Sequence, residues 1–213
     1  TSSYGLSVTF GYPISEIQRL GFNIGFDHTE LQSGGMAARE ILDFLESEGD
    51  TFDTLKFQGY WTRSTLNRGL FPTDGDLNQV QLQTTLPGST LNYFRIDYKN
   101  EYYQPLPIGE DLVFKAASRI GYTAAFGDSE IPPYYENFYA GGPYSVKGYE
   151  ANSLGPRITP VPCYGYISAD DYCPPLIDND FDGEPDTPYY NQYASYRINR
   201  PIGGNVILET SLN

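Results

Sequence analysis

The chain of 213 residues holds 27 acidic against 13 basic side chains, a formal net charge of -14. That balance argues against nucleic acid as a partner, because no basic stripe offsets the repulsion from phosphates. Twenty Tyr, 12 Phe, 22 Gly and 16 Pro against one Met and one Trp favour strands and turns over a helical core. The mean hydropathy is -0.43, yet a membrane-spanning strand needs only about 9–11 residues with every second one apolar, so a polar average is compatible with a bilayer. Thr1-Ser2-Ser3-Tyr4 begins inside a strand-like pattern with no basic start or apolar leader, and the sequence reads as an internal piece of an exported parent.

In chain order, residues 4–12 place Tyr4, Leu6, Val8, Phe10 and Tyr12 on one side and Gly5, Ser7, Thr9 and Gly11 on the other. A turn over Pro13-Ile14-Ser15-Glu16 follows, and Leu20, Phe22, Ile24 and Phe26 then share an apolar face, completing a hairpin. Residues 35–48 break the period of two and put Ala38, Ile41, Leu42 and Leu45 at helical spacing, which predicts a short helix on an outer loop. Strands resume at about 52–63, 76–87, 91–104, 110–126 and 204–213, seven in all. The fold class is all-β: an antiparallel meander with a short helix in one loop.

One face of these strands is polar, with Gln79, Gln81 and Gln83, then Arg95, Asp97, Lys99 and Glu101, then Lys115 and Arg119. The other carries Val80, Leu82 and Leu86, then Phe94, Ile96 and Tyr98, then Leu112, Phe114, Ile120 and Tyr122. A soluble β-sandwich and a transmembrane barrel both give this alternation. Loop lengths favour the barrel: short connections (13–16, 105–109) alternate with long ones (28–50, 127–203), and the connections at 87–90 and 64–75 are exceptions.

Two motifs stand in the longest loop. Cys163 and Cys173, with no His or third Cys near enough to complete a zinc set, read as a loop disulfide of an oxidising compartment or as two free thiols. Residues 178–186 match the front of a calcium loop, with Asp178, Asp180, Asp182 and Asp186 as oxygen ligands and Gly183 at the sharp turn. Tyr189 stands where an EF-hand has Glu, so the choice lies between a weak Ca2+ site and an acidic surface loop. No cofactor is otherwise required. Asp27-His28 at a strand end is the single catalytic suspicion, a barrel-rim acid and base; the expectation is a protein that is not an enzyme.

Residues 135–157 contain the run Tyr135-Glu136-Asn137-Phe138-Tyr139-Ala140-Gly141-Gly142-Pro143-Tyr144-Ser145-Val146-Lys147-Gly148-Tyr149. This segment resembles the sixth-loop segment of the BamA family of outer-membrane assembly barrels, whose Val-Arg-Gly-Phe signature is written here Val146, Lys147, Gly148 and Tyr149. Leu66-Asn67-Arg68-Gly69-Leu70-Phe71-Pro72-Thr73-Asp74-Gly75 is similar to that family's Arg-Gly-x-x-Pro-x-x-Gly turn. Matched in order, residues 1–213 look like the sixth to twelfth strands of a sixteen-stranded barrel, a single partial barrel domain.

The resemblance implies a bacterial outer-membrane protein that folds and inserts nascent β-barrel proteins, with accessory assembly lipoproteins docking on other parts of the parent. A transport or secretion pore of the same superfamily is the alternative. It also implies that loop 127–203 folds into the lumen and sets its cation against wall carboxylates. Asn213 falls where the family places an acid, so Glu209, four residues earlier on the same face, is the expected partner of Lys147, with Asp97 a further candidate. Lysine for arginine turns a two-pronged contact into a point charge. The unpaired edges near 4–12 and 204–213 predict edge-to-edge self-association.

Overall fold

The computed structural model describes residues 2–32, 38–107, 112–143, 145–158 and 200–212. Seven strands, β1 (Ser2–Pro13), β2 (Gln18–Glu30), β3 (Thr51–Ser64), β4 (Gly75–Thr85), β5 (Tyr93–Pro105), β6 (Val113–Ala125) and β7 (Val206–Leu212), pair antiparallel in sequence order. The expected boundaries shift by up to three residues. Pro13, expected in the first turn, is the last residue of β1, opposite Arg19.

The register puts like with like. Phe10, Phe22, Gly59, Leu82, Ile96, Tyr122 and Val206 form one cross-strand row, and Thr9, Asn23, Gln58, Gln83, Arg95 and Thr123 form the neighbouring row on the opposite face. The apolar face is bare: Leu6 is 78%, Phe10 64% and Leu208 71% exposed. Buried side chains sit on the polar face instead, among them Thr54, Gln83, Thr85, Asp97 and Thr123. A sandwich would do the reverse, burying its apolar faces against each other, so the sheet is built for an apolar solvent on one side.

A small apolar core exists at one end of the sheet. Helix α1 (Arg39–Glu48) in the β2–β3 connection presents Phe44, 1% exposed, to Leu31, Phe52, Leu91 and Tyr93. The Phe44 ring lies 5.6 Å from Phe52 and edge-on to Tyr134 at 5.7 Å. Helical spacing places Leu42 on the buried side, but Leu42 is exposed and Phe44 takes the central place. The helix is oriented by the inward side chains of β3 and β5 and by Tyr134, none of which its own periodicity encodes. The Glu48 carboxylate accepts from the backbone N–H groups of Glu130 (2.7 Å) and Ile131 (3.2 Å), so α1 also fixes the start of the segment after β6.

Candidate functional site

The segment between β6 and β7 returns over the polar face, and its short 3-10 turn Tyr134–Glu136 delivers a carboxylate into the wall. Glu136 Oε1 accepts from Gln83 Nε2 and from the Tyr93 hydroxyl, both at 3.0 Å, and lies 3.6 Å from Lys56 Nζ. Its Oε2 stands 3.3 Å from Arg95 Nη1. Strands β3, β4 and β5 each contribute one or more of these partners, because Lys56, Gln83 and Arg95 fall on the same face by alternation. Lys56 is shared with Asp27 Oδ2 at 3.2 Å, and Gln83 Oε1 accepts from Gln58 at 3.0 Å. The Glu136 side chain is 13% exposed. A carboxylate so enclosed is stabilised only where cations and donors replace its water, which this cluster does. Burial and then the Glu136 charge raise the Tyr135 phenol above its ordinary value, so it stays neutral.

Two residues on, Phe138 is 3% exposed. The Arg95 guanidinium lies 4.3 Å and that of Arg119 5.6 Å from its ring centroid, close enough for cation–π attraction. Gly121 makes the slot: a Cβ there would stand 2.5 Å from Phe138 Cζ and 2.7 Å from Ile207 Cγ2. The backbone of Phe138 exchanges two 2.9 Å hydrogen bonds with Gly204, just before β7. Arg119 is held for this contact by Asp97, with Nε at 3.2 Å from both carboxylate oxygens and Nη2 at 2.6 Å from Oδ2.

The run after Phe138 closes on itself. Leu154 donates to Ala140 O at 3.0 Å, Ser145 to Gly142 O at 3.1 Å and Gly142 to Val146 O at 3.2 Å. Gly141 has φ +107°, and a Cβ there would sit 2.6 Å from Glu150 O, so both backbone conformation and space require glycine. Val146 is half-buried, whereas Lys147, Gly148 and Tyr149 are exposed in the turn that follows.

Glu209 is met by Ser145, whose hydroxyl donates to the carboxylate, and it stands opposite Arg119 in the β6–β7 register. The hydrogen bond described at Glu209 thus comes from Ser145, two residues before Lys147. The physical reason is the turn: the closed loop carries position 145 to the wall and position 147 to its exposed side. Asp97, a candidate for the same role, is committed to Arg119. The loop also brings an acid of its own, Glu136, to the wall cations Lys56 and Arg95.

Asp27 and His28 do not form a site. As neighbours in a strand they face opposite ways; Asp27 meets Lys56 on the polar face, while His28 Nδ1 meets Asp53 Oδ1 at 2.7 Å on the other. Asn213, Cys163, Cys173, Asp178, Asp180, Asp182 and Asp186 lie outside the described residues, as do the proposed disulfide and Ca2+ loop. Sequence reasoning missed Lys56 and Glu136 as a pair. The available signal was an acid among aromatics in the loop and a lone cation, Lys56, between Thr54 and Gln58 on the polar face of β3.

A model of the Omp85 superfamily domain matches residues 1–213. The outer membrane protein assembly factor BamA of Neisseria meningitidis serogroup B is 28% identical over 166 residues, covering 74% of this chain and 21% of its own length. The chain thus spans about a fifth of that curated relative. Among solved structures, the crystal structure of BamA from Haemophilus ducreyi lacking POTRA domains 1-3 is similar in fold, with a TM-score of 0.73 at 23% identity over 99% of this chain and 36% of that one. A seven-stranded meander with a bare apolar face and a loop docked on its polar face is accordingly barrel wall, and the chain belongs to the Omp85 superfamily.

Proposed function

We propose that this chain is part of the wall of a bacterial outer-membrane β-barrel that folds and inserts other barrel proteins, with no catalytic step. The observation that carries the reading is the docking of the segment after β6 on the polar face through Glu136, Phe138 and Ser145, with Lys147, Gly148 and Tyr149 exposed in the turn that follows. Under this reading the polar face lines the lumen and the apolar face meets lipid. A strand entering a bilayer must find partners for its backbone groups, so a wall braced from inside can tolerate opening elsewhere in the barrel while nascent strands pair. Accessory lipoproteins would act through the remainder of the parent. The similarity to the meningococcal assembly factor supports this reading; the superfamily-level match leaves a transport or secretion pore as the second.

The test is a chimera in which this chain replaces the matched stretch of the meningococcal relative while the native copy is depleted. We expect folded outer-membrane barrels, scored by heat-modifiable gel migration, to keep accumulating. A chimera that inserts but leaves clients unfolded while conducting ions in planar bilayers would favour the pore.

A further inference from the structure

The apolar face carries a polar interruption toward the end bearing the 65–74 turn. By register Arg63, Asn78 and Asn100 form one row on that face, one step beyond the row of Trp61, Val80 and Tyr98. Arg63 Nη1 donates to Asp76 Oδ2 at 2.6 Å, and Asn78 Nδ2 donates to the same oxygen at 2.6 Å. The Thr65 hydroxyl donates to Asp76 Oδ1 at 2.7 Å. Asn78 Oδ1 accepts from the Tyr98 hydroxyl at 2.8 Å and from Asn100 Nδ2 at 2.9 Å.

The ledger of this network is lopsided. The carboxylate and the Asn78 carbonyl are engaged, while Arg63 has given one of its five N–H groups to a described partner. What remains is dominated by guanidinium donors, on a face that, under the function proposed above, meets lipid. Donors in that position are costly unless an acceptor-rich group covers them. A phosphodiester is such a group, offering oxygens that accept and none that donate, and guanidinium matches it geometrically. The flanking Trp61 and Tyr98 are the side chains that settle at a membrane interface, and Val80, Leu82 and Ile96 extend an apolar track away from the patch for acyl chains.

We infer that Arg63, Asn78 and Asn100 form a binding site for the phosphodiester of a phospholipid headgroup, in the leaflet on the side of the 65–74 turn. The Arg63–Asp76 pair orients the guanidinium, and the two amides complete the donor set.

Trp61 is the one tryptophan in the chain, so its fluorescence reports this patch alone. The purified protein in maltoside micelles is titrated with phosphatidylethanolamine carrying brominated acyl chains, and in parallel with a phosphate-free galactolipid carrying the same chains. The phospholipid should quench Trp61 at about a tenfold lower mole fraction, the worth of one charge-assisted hydrogen bond. Arg63→Met with Asp76→Leu should remove the preference without stranding a charge, and Arg63→Lys should keep part of it. Equal quenching by both lipids in the unmodified protein overturns the site but leaves the lipid-facing reading standing. Preference persisting in the double variant overturns the assignment to Arg63. Quenching by neither lipid overturns the site and the lipid-facing reading together.

Discussion

The two faces of one sheet are held in opposite ways. On the apolar face Leu6, Phe10 and Leu208 stand largely exposed, contacting chiefly their cross-strand neighbours, and their stability belongs to the solvent they meet. On the polar face nearly every charged group is committed: Glu136 to Lys56 and Arg95, Asp97 to Arg119, Glu209 to Ser145. The first face needs periodicity and a bilayer. The second needs a segment more than a hundred residues away from β2 to arrive in the right place, and so it is the part of the molecule that a single substitution disrupts.

Of the variants that introduce a charge, the largest effect is expected from Glu136→Lys. It replaces an enclosed carboxylate by a third cation beside Lys56 and Arg95, and breaking such a pair costs roughly 3–5 kcal/mol. The 126–158 segment should become cleavable by protease in folded protein while the sheet stays intact; unchanged resistance would mean that the apposition of charges does not hold the loop. Next comes Ile96→Arg, in the middle of the apolar face. In lipid it should cost about 2–4 kcal/mol near the bilayer midplane, read as a lowered urea midpoint in vesicles. The same urea midpoint as the unmodified protein would show that this face does not meet hydrocarbon. The smallest effect is expected from Leu42→Glu on the exposed side of α1, within about 0.5 kcal/mol, whereas Phe44→Ala on the buried side should cost about 3–5 kcal/mol. Comparable losses from both would return Leu42 to the core-facing side that helical spacing assigns it.

Much of the sheet was legible because alternation is local. Val80, Leu82, Ile96 and Ile120 declare their face by position alone, and the short connections at 13–16 and 105–109 mark the hairpins they close. The run from Tyr135 to Tyr149 was also visible, through its aromatics and paired glycines. What it touches was not. Lys147 drew attention as the signature cation, but Gly141 and Gly142 turn the chain so that Ser145 reaches Glu209 and Lys147 falls on the exposed side. Helix α1 is a parallel case, since its periodicity is blind to Phe52 and Tyr134, the rings that select Phe44.

By itself the sequence determined where the strands lie and which of their side chains share a face, since alternation depends on neighbours two residues apart, and its loop run pointed to the family. Tertiary structure alone decided that Glu136 meets Lys56 and Arg95, that Gly121 is the slot for Phe138, and that Asp27 and Glu136 share Lys56. Those choices depend on which of several chemically equivalent charges come within about 4 Å of each other, and Coulomb's law rewards proximity that only the folded backbone supplies.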